Sequence, residues 1–180
     1  LPGACGGFVK ERSDWFRRVL ERFVGGIDDA LGDDGHNGPL QAAPVVPVMF
    51  NTLASPQPNA RRCLEFGRVI GRVAARSRKR IGLIATGGLS HDPGEKNHGV
   101  IDSEFDHRFP SAMAAGDADR LGGYTRAEFA KAGAGTIELL SCVALAGALG
   151  GRKGEVVADE AVKPWATGVG LMTFPEAVPA

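Results

Sequence analysis

Two residues in this chain stand where acid–base or metal chemistry could be done, His91 and Glu138. His91 closes the stretch Arg80-Ile-Gly-Leu-Ile-Ala-Thr-Gly-Gly-Leu-Ser-His91. Its apolar run, residues 81–85, has the length of a buried strand and is too short for a typical helix. A histidine delivered just past such a strand, through Gly87-Gly88, sits where open α/β sheets place their ligands. Glycines there let a ligand approach the backbone closely. The same residues also describe an ordinary strand-to-loop turn with an incidental histidine, so the pattern is a hypothesis about chemistry. Glu138 falls in the first turn of a helix expected over Thr136 to Leu149, where a carboxylate is favoured by the helix dipole. Ser90 beside His91 does not indicate a serine hydrolase, since adjacent residues seldom pair and no Gly-x-Ser-x-Gly elbow is present. His36 lies among Asp28, Asp29, Asp33 and Asp34, but the closing Glu of a calcium loop is missing. His36 is then an active-site candidate or a solvated loop histidine.

The elements around these residues can be read in order. Ser13-Asp14 caps a helix with the stripe Trp15, Phe16, Val19, Leu20, Phe23 and Val24, ended by Gly25-Gly26. Val45 to Phe50 reads as a strand, which Pro47 moves toward a sheet edge. Asn51 at its end parallels His91 at the end of the next strand. Asn59 caps a long helix whose expected buried side is Leu64, Phe66, Val69, Ile70 and Val73. The basic run Arg76, Arg78, Lys79 and Arg80 suits the helix C-terminus better than an anion site. Asp92 to Gly99 is a polar loop with the character of an active-site rim. A helix starts at Asp102, with Asp106 expected as a buried or capping acid and His98 and His107 at the surface. Thr125-Arg-Ala-Glu128 is a capping box, and Gly150-Gly151 ends the Glu138 helix. Val156 to Ala158 and Val169 to Phe174 read as final strands joined by a loop over 165–168. The pattern is α/β: a single domain over 1–180, with a mixed central β-sheet flanked by helices.

Composition narrows the function classes. The 180 residues are 43% hydrophobic and 23% charged, an ordinary globular balance. Lys+Arg and Asp+Glu both total 21, which gives no reason to expect a nucleic-acid or acidic-membrane partner. The apolar stretch from Ile137 to Gly150 is too short to span a bilayer. The three cysteines, Cys5, Cys63 and Cys142, have no metal spacing and read as reduced thiols, which places the chain in the cytoplasm. Leu1-Pro-Gly-Ala-Cys is not a signal peptide. It has no initiator Met, which suggests that the gene begins elsewhere.

Gly87-Gly88-Leu89-Ser90-His91 resembles the signature of the class III extradiol ring-cleaving dioxygenases. Other pieces fit in the same order: Pro44-Val-Val-Pro-Val-Met-Phe-Asn51, Ser55-Pro56-Gln-Pro58, Gly67-Arg-Val-Ile-Gly71-Arg72, Phe105-Asp106-His-Arg-Phe109 and Gly135-Thr-Ile-Glu138-Leu-Leu. The resemblance covers roughly residues 44–174, while 1–43 is atypical. It implies a non-haem Fe(II) enzyme that opens a catecholic aromatic acid, of the protocatechuate or gallate kind, with O2. Such iron is usually held by two histidines and one carboxylate on one face. The resemblance assigns Glu138 as the carboxylate ligand and His91 as the acid–base residue, which accepts a catechol proton and later returns it. His36 is the candidate for a histidine ligand, and Asn51, Gly88 and Ser90 for substrate contacts. The family's two histidine ligands precede everything matched here, so the chain is expected to lack N-terminal segments. The resemblance also implies a second copy or a partner subunit. Two alternatives stay open: a catalytically silent structural or regulatory subunit, and a metal-dependent enzyme of other chemistry on the same scaffold.

Overall fold

The computed structural model describes residues 46–52 and 54–175. Internal contacts divide the chain into Leu1–Pro47 and Val48–Ala180, and every element described here belongs to the second unit. The helix expected over 13–24 and the acidic stretch with His36 lie outside the described residues.

The order is five helices followed by a β-hairpin, consistent with the α/β class. Helix α1 is Ala60–Ala75, and Asn59 caps it by accepting from the Arg62 N–H at 2.9 Å. Its core face is Ala60, Cys63, Leu64 and Gly67. Of the side expected to be buried, Leu64 is in the core and Ile70 is half-buried, while Phe66, Val69 and Val73 are exposed. The correction has a steric cause. A Cβ built on Gly67 would lie 1.8 Å from the Ala144 carbonyl oxygen, and one on Gly147 would lie 2.1 Å from that of Leu64. Helix α1 therefore meets the later helix α5, Leu140–Leu149, backbone against backbone, and the small residues must face inward. Phe66, Val69 and Val73 turn away.

Helices α2, Ser103–Ala115, α3, Ala118–Gly123, and α4, Arg126–Ala132, enclose the main core. Phe105, Phe109, Tyr124 and Phe129 are buried there, with ring centroids 5.4 to 6.4 Å apart in stacked, tilted and edge-on pairs. Such pairs contribute about 0.5–1.5 kcal/mol each beyond their buried area. Thr125 and Glu128 form the expected capping box at α4. The helix expected over Thr136 to Leu149 is divided in two. Residues Ala134–Leu139 make a 3-10 turn, and α5 begins only at Leu140 and ends at Gly150 in the left-handed region.

Strands β1, Glu155–Val162, and β2, Thr167–Thr173, pair antiparallel with an irregularity between Val156 and Ala158. Among the described residues they form the one sheet. The strands expected at Val45 to Phe50 and Ile81 to Ala85 are not formed over their described parts. Both runs are largely exposed, Met49 at 92% and Ile84 at 78%. No described segment lies beside them to complete a ladder, and a strand needs a partner for its backbone groups.

Burial pushes the Cys63 thiol up to about 11 and raises that of Cys142 as well. Only the thiolate reacts. With the folded protein at neutral pH, iodoacetamide should therefore label both cysteines far more slowly than in denaturant, by roughly a hundredfold at Cys63. Equal rates in the two conditions, read by peptide mass, would contradict this burial.

Candidate acid–base site

The stretch from Leu89 to Asp92 is pinned at nearly every polar group. Ser90 is wholly buried, and its N–H donates to Asp106 Oδ1 at 2.7 Å. Its hydroxyl donates to Asp106 Oδ2 at 2.6 Å and accepts from the Asp102 N–H at 2.8 Å. Its carbonyl accepts from the Gly168 N–H at 2.9 Å, beside an antiparallel bridge between His91 and Thr167. The His91 carbonyl accepts from Gly135 N–H at 3.2 Å. Asp92, 6% exposed, accepts from Ala134 N–H at 2.9 Å and from Asn97 N–H at 3.1 Å. One short segment thus ties together the start of α2, the loop before the 3-10 turn and the start of β2.

The imidazole of His91 follows from this frame. Its Nδ1 lies 2.7 Å from the Leu89 carbonyl oxygen. A carbonyl can only accept, so Nδ1 carries the proton and a neutral ring keeps its lone pair on Nε2. The ring is packed between two glycines. A Cβ on Gly88 would lie 2.3 Å from Cε1, and one on Gly135 would lie 2.0 Å from Nε2. Any side chain at either position would displace the ring. Among the described residues no group is bonded to Nε2, and a half-buried imidazole with such a nitrogen, held in one orientation, can accept a proton from a bound acid and return it.

Glu138 lies on the 3-10 turn that also carries Gly135, and its side chain is exposed. The Glu138 carbonyl approaches the Gly87 backbone so closely that a Cβ there would lie 2.9 Å from it. The Ser141 hydroxyl touches both the Thr86 and Glu138 carbonyls. The structure therefore brings the Gly87–His91 segment against the turn bearing Glu138. It does not bring Asn51 into that group. Its amide donates to the Ala54 and Pro56 carbonyls at 2.8 and 3.1 Å, and its Oδ1 accepts from Ala54 N–H. Ser90 faces the core, and Gly88 lines the imidazole. His107 is exposed as expected, and pairs with Asp159 at 2.5 Å.

Among the described residues, no three His, Cys, Asp or Glu side chains are grouped as a metal site. The described residues alone do not make a ligand set for iron, and Glu138 is one carboxylate without histidines beside it. Burial raises the Asp106 carboxyl above its ordinary range, and the charges of Asp159 and Asp102 add to the rise. The two Ser90 hydrogen bonds oppose it. The sequence marked Asp92 as part of a polar rim loop and Gly135 as part of a family-like piece, but not their contacts with Ala134 and His91, which join residues distant along the chain.

The chain is an α/β protein whose residues 37–172 match the family described as the catalytic LigB subunit of aromatic ring-opening dioxygenase. The chain belongs to that family. It is also similar to proteins named 2,3-dihydroxyphenylpropionate/2,3-dihydroxicinnamic acid 1,2-dioxygenase. The protein from Burkholderia vietnamiensis is 46% identical over 56 residues, which are 31% of this chain and 18% of the relative. That from Photorhabdus laumondii is 37% identical over 67 residues, 37% of this chain and 21% of the relative. That from Mycobacterium sp. strain MCS is 41% identical over 80 residues, 38% of this chain and 26% of the relative. The chain spans about a quarter or less of the length of these relatives. Among the described residues, no helix is long and apolar enough to cross a membrane.

Proposed function

We propose that this chain carries the acid–base part of an extradiol dioxygenase that opens a catecholic aromatic acid with O2. The observation that supports this reading most is the fixed imidazole of His91, with Nε2 bare and the Glu138 turn packed against its segment. In this reading Nε2 takes a proton from a catechol hydroxyl, and the Leu89 carbonyl stabilises the imidazolium that results. The same nitrogen returns the proton to the opened product. Gly88 and Gly135 hold the ring at one attack position, which is where an enzyme gains most from geometry. Ser90 serves by fixing the backbone.

Fe(II) would bring catechol and dioxygen together and carry electrons between them. Glu138 is the ligand the described residues offer. His36, outside the described residues, is the proposed histidine on this chain, and the remainder of the set would come from a further segment or a partner subunit. The relatives' names favour a catechol with a propionate or cinnamate side chain over one of the protocatechuate or gallate kind. The protein is placed in the cytoplasm, with a small catechol and O2 as its partners.

The test is oxygen uptake by the Fe(II)-supplied protein with 2,3-dihydroxyphenylpropionate, protocatechuate and gallate in turn. Uptake that yields a ring-opened product supports the reading, and uptake with the aromatic ring intact would replace it by other metal chemistry. Glu138→Ala should purify with much less iron than wild type, whereas His91→Ala should keep its iron. Equal iron in both variants would remove Glu138 from the ligand set. A second reading, a catalytically silent structural or regulatory subunit, draws on the incomplete ligand set among the described residues. It predicts no iron-dependent uptake with any of the three.

A further inference from the structure

We propose that Asp106 is a positioning residue for His91, acting through Ser90 to fix which imidazole nitrogen is bare. This rests on the acid–base reading of His91 and adds a device to it. Asp106 is 3% exposed, yet both of its oxygens are spent on one residue, Ser90. One oxygen takes the Ser90 backbone N–H and the other its hydroxyl. A carboxylate that grips main chain and side chain of the same residue leaves that residue little rotational freedom. Ser90 is the single link between the Leu89 carbonyl and the His91 ring. The hydrogen bond across that link, 2.7 Å from Leu89 O to Nδ1, decides the tautomer.

The surroundings show that this carboxylate is not there for cheap stability. The charged groups around it are Asp102 and Asp159, which are also acids, and the exposed His107, which pairs with Asp159. Among the described residues no cation is paired with Asp106. Burying an acid without one is costly, and an apolar residue would normally be favoured at such a place. Strand β2 also leaves room for it. A Cβ on Gly168 would lie 2.0 Å from Asp106 Oδ2, so a side chain there would push the carboxylate off Ser90. Gly168 N–H at the same time holds the Ser90 carbonyl. Helix α2 and strand β2 therefore hold Ser90 from two sides, and the held residue orients His91.

Asp106→Asn tests this. The amide has nearly the same shape and keeps one acceptor, but its NH2 cannot take the second Ser90 proton. The variant should stay folded by circular dichroism. With the catechol that wild type cleaves, kcat should fall by about 10- to 100-fold with KM little changed. The ring nitrogens of His91, read by 15N chemical shift, should change from one bare Nε2 to a mixture of tautomers. A purely structural role would move melting temperature and leave that signal alone. Unchanged His91 shifts in folded Asp106→Asn would overturn the proposal, as would an unchanged kcat. If Asp106→Asn does not fold, Ser90→Ala removes only the hydroxyl arm and decides by the same shifts. Should wild type cleave no catechol, the dioxygenase reading fails, while the His91 shifts still decide the role of Asp106.

Discussion

On the proposed acid–base reading of His91, Gly135→Ala is expected to abolish turnover nearly as fully as His91→Ala while leaving the fold intact. The two effects separate because of what the new methyl meets. It would lie 2.0 Å from His91 Nε2, the tip of a side chain that can swing away. The ring yields at smaller cost than a backbone shift would, since it is half-buried and ends a side chain that can rotate. Once it swings, the Leu89 carbonyl loses its partner and the bare nitrogen leaves its position. General base catalysis is worth roughly 100- to 10,000-fold, so a loss on that order is expected in kcat for either variant. Combined in one protein, the two changes should cost no more than His91→Ala alone, because both remove one function. Steady-state oxygen uptake measures this. A Gly135→Ala enzyme with wild-type kcat would mean that the imidazole does not act from this position.

Gly67→Ala should have the largest effect on stability. Here the added methyl would meet the Ala144 carbonyl oxygen at 1.8 Å, and neither partner is a flexible tip. Both belong to helix backbones, so α1 and α5 must move apart. In an exposed helix the same substitution would gain about 0.5–1 kcal/mol from lower chain entropy. Overpacking a closed contact costs about 1–3 kcal/mol and occasionally more. A clash this deep between two backbones belongs at the upper end, and the steric term wins. A net loss of about 2 kcal/mol should lower the melting temperature by roughly 4–8 °C. Gly82→Ala is the control, because a methyl there meets nothing within 4 Å. Denaturant unfolding of the two variants should therefore differ widely, and similar midpoints would contradict the packing of α1 on α5.

Local signals in the sequence proved readable wherever the physics was local. Asn59 and the Thr125–Glu128 box cap their helices because a side chain needs only its own next turn to do so. The final hairpin was visible from two apolar runs and a short connection, although both strands extend further than those runs. The inward face of α1 was not visible. Phe66, Val69 and Val73 look like a core stripe, but the close approach of α5 reserves that side for small residues. The runs at 46–50 and 81–85 have strand composition without ladder partners among the described residues, and composition alone does not supply a neighbour.

For the site, the ordered set of short pieces from Pro44 to Glu138, with Gly87 to His91 among them, was enough to indicate the family, because each piece is contiguous in the chain. Only the tertiary structure decided how His91 is held. The Leu89 carbonyl, the Gly88 and Gly135 walls and the Asp106 grip on Ser90 join residues up to 44 positions apart. Hydrogen-bond geometry and close packing are properties of atoms in space, and periodicity along a chain does not carry them.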